Sequence, residues 1–281
     1  MGYKTILAVM DTADNAHGLA DFVATLAQTY SSHVIGLHME TAETAPLVAP
    51  MEFPDPVTIQ AMQEAAHQET TDVEAIFKAK MAAEQVSSEW RTAISSVGYG
   101  SNAAIQSARC ADLVIARQST ESSISDSRLD LDNFLYETGR PILLVPHVLR
   151  SPKSVRRVMI AWNGSREATR ATFDAMPFLL AAESVEIFSV GADDNETQSA
   201  ELAGSEIAAT LARHGINVVV TSEQHAHTLA PEKAIEQRLS DNSIDLLVMG
   251  AYGHSRWWEM LFGGVTRSLL DKMTALTLMS R

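Results

Sequence analysis

The sequence predicts an α/β protein built as two tandem doubly wound parallel-sheet domains, each with about five strands and helices on both faces. Three observations lead there. The chain has 281 residues, long for one simple core and natural for two domains of about 140 residues each. Its apolar segments are short, continuous and rich in Val, Ile and Leu, as strands buried on both faces of a parallel sheet are. The order of segments in the first half recurs in the second, which is the signature of an internal repeat.

The first half opens with Lys4-Thr5-Ile6-Leu7-Ala8-Val9-Met10-Asp11: a basic residue, an apolar strand and a polar turn. An Ala/Leu-rich amphipathic helix follows over about 16–30, then a strand from His33 to Met39. Ala45-Pro46 to Pro54-Asp55-Pro56 is proline-rich and irregular. From Pro56 to about Val86 the pattern is helical, and Met62, Ala65, Ala66, Val73, Ile76 and Phe77 fall at roughly helical spacing, which assigns them to packing. A third strand is placed near Glu89 to Ile94. Ala108-Arg109-Cys110-Ala111-Asp112 is a helix end leading into the strand Cys110 to Ala116, and Pro141 to Val145 closes the half.

His147 to Ser154 is a linker, so the domains are expected over 1–146 and 155–281. Arg156-Arg157-Val158-Met159-Ile160-Ala161-Trp162-Asn163 repeats the opening of the first half, and Ser243-Ile244-Asp245-Leu246-Leu247-Val248-Met249 repeats Cys110 to Ala116. Strands are predicted near 157–161, 185–190, 216–221, 244–250 and 275–280. Helices are predicted near 166–182, 198–214, 231–241 and 265–274, with Gly215 after Arg213-His214 as a helix stop.

The formal net charge is -14 and no Lys/Arg run exceeds two residues. A nucleic-acid groove or an anionic membrane surface needs concentrated positive charge, so neither is expected as a partner. No run approaches a membrane span, and Met1-Gly2-Tyr3-Lys4 leads directly into a strand; a cytoplasmic protein is expected. The single cysteine, Cys110, is expected to be a small buried side chain and not a redox thiol. His225 and His227 lack a clear third ligand, so no metal site is expected there.

The stretch that carries chemistry runs from Gly250-Ala251-Tyr252-Gly253-His254-Ser255-Arg256 through Trp257, Trp258 and Glu259 to Phe262-Gly263-Gly264-Val265-Thr266-Arg267. It leaves the predicted fourth strand and enters a helix. Ligands of open α/β sheets bind at the carboxyl ends of strands, and a helix amino terminus offers free N–H groups to phosphate. Glycines let the backbone approach an anion. A Trp pair suggests an interface or lid, with loop packing as the plain alternative. His254 beside Ser255 is expected to be a surface or phosphate-neighbouring side chain and not a catalytic base.

The spacing Gly-x2-Gly-x9-Gly, met by Gly250, Gly253 and Gly263, resembles the ATP-binding signature of the universal stress protein family. The resemblance covers nearly the whole chain as two copies, and it implies a Rossmann-like fold of the adenine nucleotide α-hydrolase type. It also implies ATP, AMP or ADP as ligand, with Mg2+ as a candidate companion. Adenine is then expected at Ala161, Trp162, Asn163 and Val190, and ribose and phosphates at Met249, Gly250, Tyr252, Gly253, Gly263, Gly264, Val265 and Thr266. Two positions depart from the family pattern. Gly264 stands where a Ser or Thr normally follows the last glycine, and Asn163 where an Asp is usual. Trp162 is unusual at its position, either stacking on the base or filling the pocket.

The first half lacks the loop. After Ala116 come Arg117-Gln118-Ser119-Thr120, no glycine appears until Gly139, and Asp126, Asp130 and Asp132 add negative charge. Acidic side chains repel phosphate, so nucleotide is expected in the second half alone, although Asp11 keeps the family's first-strand carboxylate. The resemblance implies a stress-response regulator or chaperone-like module, with the closing strands of the two halves paired within one molecule and a homodimer as a further association. The rival reading is a scaffold for another small ligand or a protein partner. No assembled base or arginine finger for phosphoryl transfer is legible, so at most weak ATP hydrolysis is expected. An adenylating enzyme comes last, because neither first strand ends in a Ser-Gly-Gly-x-Asp-Ser loop.

Overall fold

A computed structural model describes residues 2–41, 56–95, 101–118, 131–191, 200–224, 231–251 and 273–281. It divides into two units, Gly2–Arg140 and Pro141–Arg281. In the first unit the elements run β1 (Thr5–Met10), α1 (Ala13–Tyr30), β2 (His33–Thr41), α2 (Pro56–Ala83), β3 (Ser88–Ser95), α3 (Ser101–Arg109), β4 (Leu113–Arg117) and α4 (Leu131–Thr138). The strand order is β3-β2-β1-β4, and every pair is parallel.

The second unit opens with β5 (Ile142–Val145) and β6 (Arg157–Ala161), followed by α5 (Arg166–Asp174), α6 (Met176–Ala181) and β7 (Ser184–Gly191). It continues with α7 (Ala200–Arg213), β8 (Val218–Gln224), α8 (Pro231–Asp241), β9 (Leu246–Gly250) and β10 (Leu276–Ser280). Its order is β5-β10-β9-β6-β7-β8. All pairs are parallel except β5 with β10, where Leu143 faces Leu278. This is the α/β parallel-sheet class that the sequence predicts.

Parallel strands have no exposed face to hide polar groups on, and the burial reflects it: Ile6, Leu7 and Ala8 of β1, and Val158, Met159 and Ile160 of β6, are all buried. The same carboxylate device anchors both of these strands. Asp112 Oδ2 accepts from the N–H groups of Lys4 and Thr5 at 2.7 and 2.9 Å. Asp245 Oδ2 accepts from those of Arg156 and Arg157 at 3.0 Å each. Each Asp stands just ahead of β4 or β9, so it ties the start of that strand to the start of its neighbour. Burial pushes the Asp245 carboxyl up, but Lys153, at 2.5 Å, and the two N–H groups outweigh it and hold the group below its ordinary value.

Close approach explains one glycine of the first unit. A Cβ on Gly36 would lie 2.6 Å from Trp90 and 2.8 Å from Phe77. Trp90 and Phe77 pack with ring centroids 5.3 Å apart, so β2 makes room for an aromatic pair carried by β3 and α2. Along α2, Val73, Phe77 and Met81 are buried, whereas Met62, Ala66 and Ile76 are half-buried and Ala65 is exposed. The apolar stripe therefore packs only from its middle onward.

Three expectations need correction. The single helix predicted near 166–182 is two helices, α5 and α6, divided at Ala175. Pro177 lies in the first turn of α6; it has no N–H to continue the α5 ladder, so the chain starts a new helix. Cys110 is exposed, not buried. It sits on the turn after α3, and the inward position falls one residue later, to Ala111. The third strand of the second half also starts later than expected, at Val218.

Glu186 of β7 is a buried charge that needs its partner. Arg238 of α8 reaches its Oε1 through Nε at 3.0 Å, and Asn242 donates to its Oε2 at 3.0 Å. Burial raises the carboxyl, but Arg238, Thr221 and Asn242 together hold it below its ordinary value. Removing one partner of such a pair strands the other charge in the interior.

Gly36→Ala should cost the protein about 1–3 kcal/mol by overpacking, read as a shift of the urea midpoint at unchanged slope. Asp245→Ala should cost about 2 kcal/mol by stranding two backbone donors. Because Asp245 titrates lower folded than unfolded, its contribution is complete above the ordinary carboxylate range and is lost as pH falls through its depressed value. The gap between wild type and Asp245→Ala, measured by urea unfolding across pH, should be constant at neutrality and close in acid.

Candidate functional site

The second unit has a topological switch point between β6 and β9. From β6 the sheet continues through β7 to β8; from β9 it continues through β10 to β5. The two strands are in register, Ala161 beside Met249. Beyond that point the chains diverge. The Trp162 N–H donates to the Phe188 carbonyl at 2.9 Å, and the Ala251 N–H donates to the Ser280 carbonyl at 2.8 Å. Each strand end thus follows its outer neighbour, and the carboxyl ends open between them. Such a split is where open α/β sheets take ligands.

The turn after β6 is built by three residues in succession. The Asn163 side-chain oxygen accepts from the Ser165 N–H at 3.1 Å. Gly164 has φ +71°, a conformation that favours glycine. Ser165 caps α5, its Oγ accepting from the Ala168 N–H at 3.1 Å. Asn-Gly-Ser is therefore a turn-and-cap unit that brings the amino terminus of α5, with its positive dipole end, beside the strand tips.

That amino terminus meets Gly250. A Cβ there would lie 2.5 Å from the Ala168 nitrogen and 2.6 Å from the Glu167 carbonyl carbon, both backbone atoms. Gly250 is thus accounted for by packing of β9 against α5. Glu167 is buried at this contact, with Arg166 Nε at 2.6 Å from its Oε1. Sequence reasoning missed Glu167 and Arg166; the only available sign was an Arg-Glu pair directly after a capping serine.

The structure brings Ala161, Trp162, Asn163, Met249 and Gly250 together at the two diverging strand ends. Ala161 and Trp162 are half-buried and Asn163 is exposed. Trp162 Nε1 is buried with no hydrogen-bond partner, a donor left unpaired at the tip of β6. Val190 is half-buried near the end of β7, one residue beyond the buried Ser189. Tyr252, Gly253, Gly263, Gly264, Val265 and Thr266 lie outside the described residues, as do His254, Ser255, Arg256, Trp257, Trp258, His225 and His227. Among the described residues no group of three His, Cys, Asp or Glu could hold a metal ion, and no helix is long and apolar enough to cross a membrane.

The first unit differs at the matching place. Met10 ends β1, and His38, fully buried on β2, lies with Nδ1 3.1 Å from the Met10 carbonyl. Arg117 ends β4, in the position that Gly250 takes on β9. Burial pushes its guanidinium below the ordinary value. Its Nη1 reaches over α1, 2.9 Å from where a Cβ on Gly18 would stand. A long cation therefore crosses the helix at the point where the second unit brings backbone against backbone. Asp126 and Asp130 lie outside the described residues.

Gly250→Ala should cost about 1–3 kcal/mol, because backbone of α5, not a flexible side chain, has to yield. Thermal or urea unfolding of the purified variant measures this without any ligand.

A model of the universal stress protein family matches residues 154–281. Universal stress protein Slr1230 of Synechocystis sp. is 30% identical over 145 residues, 51% of this chain and 47% of the relative. The chain thus spans about half the length of that curated relative. Among solved structures, a universal stress protein from Archaeoglobus fulgidus matches with TM-score 0.71 at 15% identity, over 99% of this chain and 96% of its own. A functionally unknown protein of Pseudomonas aeruginosa, PA1789, matches with TM-score 0.59 at 14% identity, over 99% of this chain and 92% of its own. At these identities the structural matches speak for the fold. In sequence, the likeness to the universal stress protein family rests on residues 154–281.

Proposed function

We propose that the second unit binds an adenine nucleotide, ATP with AMP or ADP as alternatives, at the diverging carboxyl ends of β6 and β9. The observation that carries the reading is the split itself: pairing of β6 with β9 ends at Ala161 and Met249, and the next N–H groups bond outward to Phe188 and Ser280. Asn163, Ala161 and Val190 complete the base side, with Met249 toward the ribose. The phosphates are assigned to the peptide N–H groups of Gly253, Gly263, Gly264 and Val265 and the Thr266 hydroxyl, with Mg2+ as counter-ion.

Nucleotide occupancy then serves a regulatory or chaperone-like role in stress response, with at most weak hydrolysis. The first unit takes no nucleotide in this manner, because it has no glycine between Ala116 and Gly139 and carries Asp126, Asp130 and Asp132 there. Residues 1–146 and 155–281 are read as tandem copies paired within one molecule, with a homodimer as further association. The matched Asp112 and Asp245 anchors support the repeat. One observation favours the rival scaffold reading, in which another small ligand or a protein partner is bound: the Asn163 carboxamide oxygen is already engaged by the Ser165 N–H.

Calorimetric titration with ATP, together with mass spectrometry of a denatured extract for co-purified nucleotide, separates the two readings. Gly263→Asp places a carboxylate at the expected phosphate seat and should weaken ATP binding about 100-fold or more, in keeping with the strength of buried like-charge repulsion. Unchanged ATP affinity in that variant would refute the phosphate assignment. Absence of any ATP heat in wild type would favour the scaffold.

A further inference from the structure

The outer edge of the first unit is β3. It pairs with β2 on one side, and among the described residues no strand lies on its other side. A strand of 8 residues with one row of unpaired N–H and C=O groups is a template for another strand. The pairing with β2 fixes which groups are free. Successive residues of a strand turn their main-chain groups to opposite sides. The Val34 N–H donates to the Ser87 carbonyl at 2.9 Å, and Val34 stands level with Ser88. Glu89 and Arg91 therefore turn their main chain toward β2, whereas Ser88, Trp90 and Thr92 turn theirs outward.

The side chains along this edge are held in place. Glu89 and Arg91 are the two charged residues of β3; they lie on one face, both exposed, and form an ion pair with each other. Arg91 Nη1 also donates to Ser107 Oγ of α3 at 3.2 Å. On the opposite face Trp90 packs on Phe77 and donates through Nε1 to Thr92 Oγ1 at 3.1 Å. Trp90 is only half-buried, and Ser88 and Thr92 are exposed.

We infer that β3 is the docking edge for a second copy of this chain, with the two β3 strands antiparallel about a two-fold axis at Trp90. Charge selects this register. Centred on Glu89, the pair would set carboxylate against carboxylate; centred on Arg91, guanidinium against guanidinium. Only the register centred on Trp90 sets Glu89 opposite Arg91 of the second copy, and symmetry makes that contact twice. Ser88 then faces Thr92 of the second copy and Trp90 faces its own counterpart, in hydrogen-bonded pairs that supply about six main-chain bonds. Glu89 and Arg91 fall at the non-hydrogen-bonded positions, where facing side chains come closer. The outer strand of the second unit, β8, carries Glu223 as its single charge and offers no such self-match. This edge gives a surface to the homodimer proposed above and does not rest on nucleotide binding.

Sedimentation velocity of the full chain without nucleotide, over a range of concentrations, tests it. Wild type should show a reversible monomer–dimer equilibrium in the micromolar range, as a small interface gives. Glu89→Arg and Arg91→Glu each set like charges face to face and should weaken self-association at least tenfold. An equimolar mixture of the two variants should restore it, because the mixed pair again sets opposite charges against each other while the ion pair within each chain stays broken. Dimerisation of either variant at wild-type strength overturns the β3 edge while leaving a homodimer through another surface. A wild type that stays monomeric to about 1 mM, failure of the mixture to associate, or growth beyond the dimer also overturns the assignment.

Discussion

The second unit is framed by one carboxylate. Asp245 accepts from two successive N–H groups at the head of β6 while standing just ahead of β9. The adjoining starts of these strands are fixed together, and the parallel ladder carries that register along to Ala161 beside Met249. Where the strands end, and hence where the sheet splits, follows from where they are made to begin. The Asp245 side chain is mostly withdrawn from solvent and also holds the Lys153 ammonium at 2.5 Å. Asp112 does the same work in the first unit.

From a shared frame the two units diverge by what ends the fourth strand. Gly250 lets the backbone of β9 meet the backbone of α5. Arg117 instead sends a half-buried guanidinium across α1. One side chain thus changes what the end of the fourth strand sets against the first helix, from backbone to a cation. The same sheet architecture therefore presents different chemistry in the two halves without any change in strand order around β1 and β6. A fold of this kind positions a site but does not say what the site takes.

Much of the architecture was legible because it rests on local pattern. The buried strands announced themselves as Val/Ile/Leu runs, and the matched Lys4-Thr5 and Arg156-Arg157 openings pointed to equivalent first strands. Helix α8 has the limits read for it, because Pro231 marks its start and the polar Asp241-Asn242-Ser243 its end. The break between α5 and α6 was missed although Pro177 was in plain view, because apolar periodicity runs on across it. Cys110 was misplaced because a one-residue step at a helix end decides which side chain turns inward. The role of Gly250 was half legible: its position after a strand marked it as special, but the demand comes from α5, which is distant in sequence.

By itself, the sequence determined the class of fold, the order of the strands along the chain, and the location of the glycine-rich stretch after the fourth strand of the second half. These depend on hydrophobic period, turn chemistry and spacing, all of which act over a few residues. Only the tertiary structure decided that Trp162 Nε1 lies buried and unpaired, that Glu186 is matched by Arg238 and that Asp245 binds two strands together. Each is a relation between residues far apart along the chain. Burial and pairing are properties of the assembled core, and no window of sequence contains both partners.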